Sequence, residues 1–152
     1  MVDSNIFTYF LLKDAVYFSS CNKFLRKIEY GDCIGFIDGI VIAETLFNFV
    51  KWGVVKAYKI NARDFISFIK KEPEVIGKVD ISEVDEIFSI TNLNLVNVPS
   101  KNIRSMLKDV HARSLLSNDA FHLLTMTYLG IENIATNDTD FERVEGIKVW
   151  KP

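Results

Sequence analysis

The sequence predicts an α/β protein, a three-layer α/β/α arrangement around a central, mostly parallel sheet. Three observations predict it. Short apolar runs of β character alternate with longer segments whose apolar residues recur at helical spacing, the pattern of strand–helix–strand units. The 152 residues, 49% hydrophobic and 25% charged, suit one domain with a real core. Prolines are few (Pro73, Pro99, Pro152), and no repeat, linker or low-complexity stretch divides the chain. Residues 1–152 therefore read as one domain.

Val2 to Asn5 reads as a very short strand leading into the apolar segment Ile6 to Leu12. Asp14 is placed to cap a helix over Ala15 to Glu29. Its residues Val16, Tyr17, Cys21, Phe24, Leu25 and Ile28 fall at helical spacing, and Gly31 stops it. Cys33 to Ile37 is β-like. Asp38 caps the next helix, Gly39 to Trp52, which carries Glu44 among Val41, Ile42, Leu46, Phe47 and Val50 and ends at Gly53. Ala62 to Lys71 is amphipathic and closed by Pro73. Ser82 to Phe88 is another short helix, in which Ser82 and Asp85 resemble a capping box. Leu93 to Val98 alternates apolar residues with Asn, as a half-buried strand does, until Pro99. Asn102 to Leu116 is helical in pattern. Ser117 offers a cap for a helix Asn118 to Leu129, closed by Gly130. Asn133 to Thr136 is a strand, Asn137 to Arg143 a loop or short turn, and Ile147 to Trp150 the last strand.

A net charge of −2 makes no global field for nucleic acid, which argues against a dedicated DNA-binding module. An acidic site can still hold a phosphate through a metal. Cys21 and Cys33 form no CxxC pair, so no zinc site is expected. No apolar run approaches the ~20 residues of a membrane span, and Met1-Val2-Asp3-Ser4-Asn5 lacks the basic start of a secretion signal. The expected location is cytoplasmic, with no membrane partner.

The acids carry the chemistry. In open α/β sheets functional sites lie at the carboxyl ends of the strands. Asp3 falls at the end of the first strand and Asp138 just after Asn133 to Thr136, while Asp119 opens a helix and Glu44 lies within one. Four carboxylates can thus converge at one edge. Two like charges ~4 Å apart repel by ~4 kcal/mol at an effective dielectric near 20, so such a cluster needs protons or a cation. Hard oxygen ligands at this density suit Mg²⁺ or Mn²⁺. Singly, each acid has an ordinary explanation. Asp119 would add about 0.3–1 kcal/mol in a first helical turn, and Asp140 could cap a turn. His122 reads as a structural histidine bonded to a carbonyl or carboxylate. Gly31, Gly35 and Gly39 make no phosphate loop. Lys101, Arg104, Lys108 and Arg113 read as a solvated helix face first, with guidance of an RNA backbone as the alternative. Phe7, Tyr9, Phe10, Tyr17 and Phe18 read as core first, with a dimer or partner groove as the alternative.

Ser117-Asn118-Asp119-Ala120-Phe121-His122-Leu123 resembles the DALHLA-type segment of PIN domains, and Ile134-Ala135-Thr136-Asn137-Asp138-Thr139-Asp140-Phe141 resembles that family's TND-x-DF signature. Gly146 to Pro152 resembles its closing strand, Val2-Asp3-Ser4-Asn5 its opening D-[ST]-[SN], and Ile42-Ala43-Glu44-Thr45-Leu46 its helical acidic motif. The resemblance spans both ends of the chain and is most specific toward the C-terminus. It implies hydrolysis of a phosphodiester in single-stranded or looped RNA. Asp3, Glu44, Asp119 and Asp138 would be catalytic and bind one or two Mg²⁺ or Mn²⁺ ions. Either Asp138 or Asp140 could be the fourth ligand, and the resemblance favours Asp138, with Asp140 nearby or bridging through water. Ser4 or Asn5 and Thr136 or Asn137 would orient the ligands. The stretch between Glu44 and Asp119 is longer than in compact members, and about 56–90 reads as a helical insertion. The leading function is a ribonuclease toxin of the VapC type, held by a small antitoxin protein and expected to dimerise. A housekeeping RNA-processing nuclease of the same fold is the alternative enzyme, and a catalytically silent α/β binding domain is the alternative outside enzymes.

Overall fold

Two parallel ladders and the first residues of the chain make the β framework; the computed structural model describes all 152 residues. In order come α1 (Ser4–Leu11), α2 (Phe18–Glu29), β1 (Gly35–Ile37), α3 (Gly39–Tyr58), α4 (Phe65–Lys71), a 3-10 turn (Pro73–Lys78), α5 (Ser82–Phe88) and β2 (Leu93–Leu95). A 3-10 turn (Ser100–Asn102), α6 (Ile103–Arg113), α7 (Ser117–Leu129), β3 (Asn133–Ala135), a third 3-10 turn (Asp140–Arg143) and β4 (Lys148–Trp150) follow. The chain is α/β with short parallel strands, as the alternation of patterns predicts.

β1 runs parallel to β2, Gly35 opposite Leu93 and Ile37 opposite Leu95. β3 runs parallel to β4, Asn133 opposite Lys148 and Ala135 opposite Trp150. The N-terminus bonds to both ladders. The Val2 N–H donates to the Phe36 carbonyl at 2.8 Å, the Asp3 N–H to Ala135 at 3.0 Å, and the Ala135 N–H to Met1 at 2.9 Å. Asp3 thus follows the parallel bridge of Val2 to Ala135, Asp38 follows β1 directly, and Asp138 comes three residues after β3. The main core cluster includes Val2, Ile6, Phe7, Ile28, Val41, Met126, Ile134 and Phe141, all at most 1% exposed. Leu115, Ala120, Leu123 and Val144 make a second cluster, and Val54, Phe65 and Val75 a third.

Several local readings change. Val2 to Asn5 is not a continuous strand: Val2 alone forms a parallel bridge, to Ala135. Asp3 is extended (φ −85°, ψ 156°) and caps α1, its carboxylate accepting the Ser4 N–H, so the apolar segment after it is helix. Asp14 accepts the N–H groups of Val16 and Tyr17 at 2.9 and 3.0 Å, forming a turn that delays α2 to Phe18. Gly53 does not end α3. A Cβ there would lie 3.0 Å from Val79 Cγ1, so the glycine permits close packing inside a helix that continues to Tyr58 and turns at left-handed Lys59 (φ 52°). Asn61 holds the Arg63 N–H in a turn, and α4 starts only at Phe65. Ser82 forms no capping box: it is the first residue of α5, and its N–H bonds Asp80 at 3.0 Å. β2 stops at Leu95, although the Val96 N–H still reaches the Ile37 carbonyl at 2.8 Å. α6 ends at left-handed Ser114 (φ 53°), so α7 includes Ser117 and has Leu116 as an uncapped N-cap.

Phe7 is core, whereas Tyr9 stacks on Tyr17 and Phe10 on Phe18, with centroids 4.6 and 5.6 Å apart. Lys101, Arg104, Lys108 and Arg113 are exposed on or beside α6. Cys21 is buried and Cys33 half-buried, both as free thiols. No helix is long and apolar enough to cross a membrane. Phe7, fully buried, anchors α1 (the helix that Asp3 caps) in the main core. Phe7→Ala is expected to lose about 3–5 kcal/mol, read as a lower urea midpoint at unchanged slope.

Candidate metal centre

The site begins where the chain turns from its N-terminal segment into α1. Asp3 is 7% exposed, and donors surround both its oxygens. Oδ1 accepts the Ser4 N–H at 2.6 Å, and Oδ2 accepts the Asn5 amide and the Thr136 hydroxyl. Burial pushes the Asp3 carboxyl above the usual range, against the lowering effect of the Thr136 and Ser4 bonds. Ser4 Oγ stands 2.7 Å from Glu44 Oε2 and 3.2 Å from Asp3 Oδ1. Its one proton can serve only one of them at a time, and the shorter contact is to Glu44. The other Glu44 oxygen accepts the Asn118 amide at 2.6 Å.

Thr136 links the first acid to the last. Its hydroxyl donates to Asp3 and accepts the Asp138 N–H at 2.9 Å and the Asn5 amide at 2.9 Å. Asn137 touches none of these carboxylates. Its N–H donates to Asn5 Oδ1 at 3.2 Å and its amide to the Tyr9 hydroxyl at 3.1 Å, so it acts on the site through Asn5. Asp138 Oδ1 accepts the Asp140 N–H at 2.8 Å. The Asp140 carboxylate pairs instead with Arg143, at 2.6 Å. The same guanidinium also donates to the carbonyls of Ser114 and Arg113, tying this loop to the end of α6.

The ligand oxygens of Asp119, Asp138 and Asp140 lie within 4.8 Å of one another, and so do the ligand atoms of Asp3, Glu44 and His122. Asp119, in the first turn of α7, has its carboxyl pushed up to about 6, by burial first and then by Asp138. Asp3, Glu44, Asp119 and Asp138 all line one cleft of about 710 Å³, with Ser4, Asn5, Asn48 and Asn118; Asp140 does not line it.

A buried ion pair sits beneath. Asp38, fully buried, caps α3 by accepting the N–H groups of Ile40 and Val41 at 3.0 and 3.2 Å. Its other oxygen takes His122 Nδ1 at 2.8 Å and the Thr125 hydroxyl at 3.1 Å, both from α7. Burial works to raise Asp38, yet the His122 bond and charge hold it below the usual range. Burial likewise works to lower His122, yet Asp38 holds it above its ordinary value. One carboxylate therefore fixes the helix of Glu44 against the helix of Asp119. His122 bonds a carboxylate, as the sequence predicts. Asp38 reads from sequence only as a cap, although its place in the apolar run Phe36 to Ala43 signals burial. Asn118 and Arg143 carry no sequence signal beyond lying beside Asp119 and Asp140.

The donor set suits a hard divalent cation. The cleft presents carboxylate oxygens and no Lys or Arg, and a cation would offset the burial and the Asp138 repulsion that push the Asp119 carboxyl up to about 6.

An α/β chain with parallel strands and four acids lining one cleft defines a candidate divalent-cation site. The chain belongs to the PIN domain family, whose model matches residues 1–147. It is also 31% identical, over 147 residues, to Ribonuclease VapC2 of Methanocaldococcus jannaschii, a match covering 97% of this chain and 89% of that protein.

The raised Asp119 sets a pH dependence. Its folded value of about 6 exceeds the ordinary aspartate value of 3.8, so the metal-free folded state binds the extra proton between them. Stability contributed by Asp119 is therefore lost as pH rises through that window. Asp119→Asn is expected to raise the metal-free Tm at pH 8 by about 2–5 °C and to give no gain at pH 3.5, measured by thermal melts in chelator.

Proposed function

We propose that the chain is a divalent-metal-dependent endoribonuclease, the toxin of a VapC-type toxin–antitoxin pair. The observation that carries this reading is the convergence of Asp3, Glu44, Asp119 and Asp138 on one open cleft, in a PIN domain chain similar to a ribonuclease along nearly its whole length. The finer architecture belongs to the same reading. Hydrogen bonds from residues 1–3 to both ladders support one parallel sheet, ordered β2, β1, N-terminal segment, β3, β4, within a three-layer PIN-like sandwich. The helical stretch of about 56–90 is an insertion in a single domain.

Asp3, Glu44, Asp119 and Asp138 would hold Mg²⁺ or Mn²⁺, which supplies Lewis-acid activation of water and neutralises phosphate charge when bound. Asp138 is the better fourth ligand, because Arg143 engages Asp140 and Asp140 is absent from the cleft wall. Asp140 then acts through its backbone N–H, which orients Asp138. Ser4, Asn5, Thr136 and Asn118 keep the carboxylates in place through neutral donors. With no Lys or Arg on the cleft wall, an RNA phosphate meets only negative charge until a cation is held there. Substrate binding and hydrolysis therefore share one metal requirement.

A small antitoxin protein and a second copy of the chain are the expected partners, in the cytoplasm. Exposed apolar side chains away from the cleft, among them Val16 at 74%, Leu107 at 64% and Leu116 at 73%, support protein contacts.

The test is cleavage of single-stranded and looped RNA by the purified chain with Mg²⁺ or Mn²⁺. Chelator is expected to abolish it, and Asp119→Asn to slow it at least about 100-fold. Cleavage indifferent to both would overturn the reading.

A further inference from the structure

We propose that Phe47 and Asn48 form a nucleobase subsite, binding the base of a nucleotide next to the scissile phosphate of a single-stranded RNA. The proposal rests on the nuclease reading and adds where the substrate's base goes. Glu44 faces the cleft from α3. Residues three and four positions further along a helix lie on the same face, about 5–6 Å away between Cβ atoms. Phe47 and Asn48 occupy those two positions, and both line the cleft. A base joined through its ribose to a phosphate beside Glu44 falls within reach of both.

Phe47 is the one aromatic side chain on a cleft wall that is otherwise mostly polar or small, and it is 48% exposed. It is not loose. Its ring meets that of Phe65 at 80°, with centroids 5.8 Å apart, and Phe65 is 2% exposed in the cluster with Val54 and Val75. An edge-to-face contact supports the ring from one side while nearly half of the residue remains open. A rigid aromatic surface beside a polar site is what base stacking uses, and stacking tolerates any base because each has a π face. Asn48 adds discrimination. The amides of Asn5 and Asn118 are committed to Asp3 and Glu44, whereas the Asn48 amide has no partner within the chain. It presents an NH₂ donor beside a carbonyl acceptor, the pair of groups that reads a base edge.

The test uses Phe47→Ala, Phe47→Leu, Phe47→Trp and Asn48→Ala in the full chain with Mn²⁺. Leucine keeps an apolar contact for Phe65 without a π face, so it controls for lost packing. Phe47→Ala and Phe47→Leu are both expected to raise KM for single-stranded RNA about 5- to 100-fold, with kcat much less affected, while Phe47→Trp keeps KM near the wild-type value. In Phe47→Trp, fluorescence is expected to be quenched, beyond any change in the wild type, by an RNA oligonucleotide and not by an abasic strand of equal length. Asn48→Ala is expected to alter the preference among bases at unchanged Tm. Equal quenching by the abasic strand, or an unchanged KM in both Phe47→Ala and Phe47→Leu while metal-dependent cleavage persists, overturns the subsite and leaves the nuclease reading standing. A wild-type chain that cleaves no RNA overturns both.

Discussion

Repulsion among carboxylates is the constraint around which the site is built. Asp3, Asp38 and Asp138 follow the Val2 bridge, β1 and β3, and Glu44 and Asp119 come from α3 and α7. At such spacing like charges repel by several kcal/mol unless something offsets them. Asp3 is surrounded by neutral donors from Ser4, Asn5 and Thr136. Glu44 takes Ser4 and Asn118. Those bonds fix geometry and share charge, but they bring no opposite charge. The strain shows at Asp119, whose carboxyl is held up near 6 by burial and by Asp138. The deficit falls on the open side of the cleft, where a cation can enter.

Beneath this wall His122 is hydrogen-bonded to Asp38, and its charge also acts on Asp3 and Asp119. Asp38 caps α3 and binds His122 and Thr125 of α7. A buried pair of this kind contributes modestly to net stability, because desolvation offsets most of the attraction, while breaking it is costly. Its structural effect is registry. Glu44 and Asp119 sit on the two helices that Asp38 joins, so Asp38 sets their placement from below. Arg143 does the corresponding work at the other rim, joining Asp140 to the last carbonyls of α6.

Much of this was legible in the chain before its structure. The alternation of periods correctly implied an α/β fold with parallel strands, and the four proposed ligands do face one cleft. The readings that changed share a cause: side chains competing locally for backbone donors. Asp3 does follow a bridged residue, Val2, but Ser4 and Asn5 do not continue a strand, because the Asp3 carboxylate caps α1 there. Asp14 captured two N–H groups into a turn and so moved the start of α2. Gly53 looked like a stop because glycine is weak in helices, whereas its lack of a Cβ admits Val79, a contact no local pattern contains. The pairing of Asp38 with His122 spans 84 residues, and sequence periodicity carries no information about such a distance. Arg143, three residues from Asp140, was locally close yet silent, since a charged residue after an acid is ordinary on any surface.

The central claim is that these acids form a divalent-cation site, and the most direct measurement is anomalous diffraction from crystals of the chain soaked in Mn²⁺. The account predicts an anomalous peak in the cleft, with carboxylate oxygens of Asp119 and Asp138 as ligands and Asp3 and Glu44 alongside. The carboxylate of Asp140 should remain on Arg143. A cleft without a peak at saturating Mn²⁺, or a peak bound by Asp140 with Asp138 turned away, would contradict it.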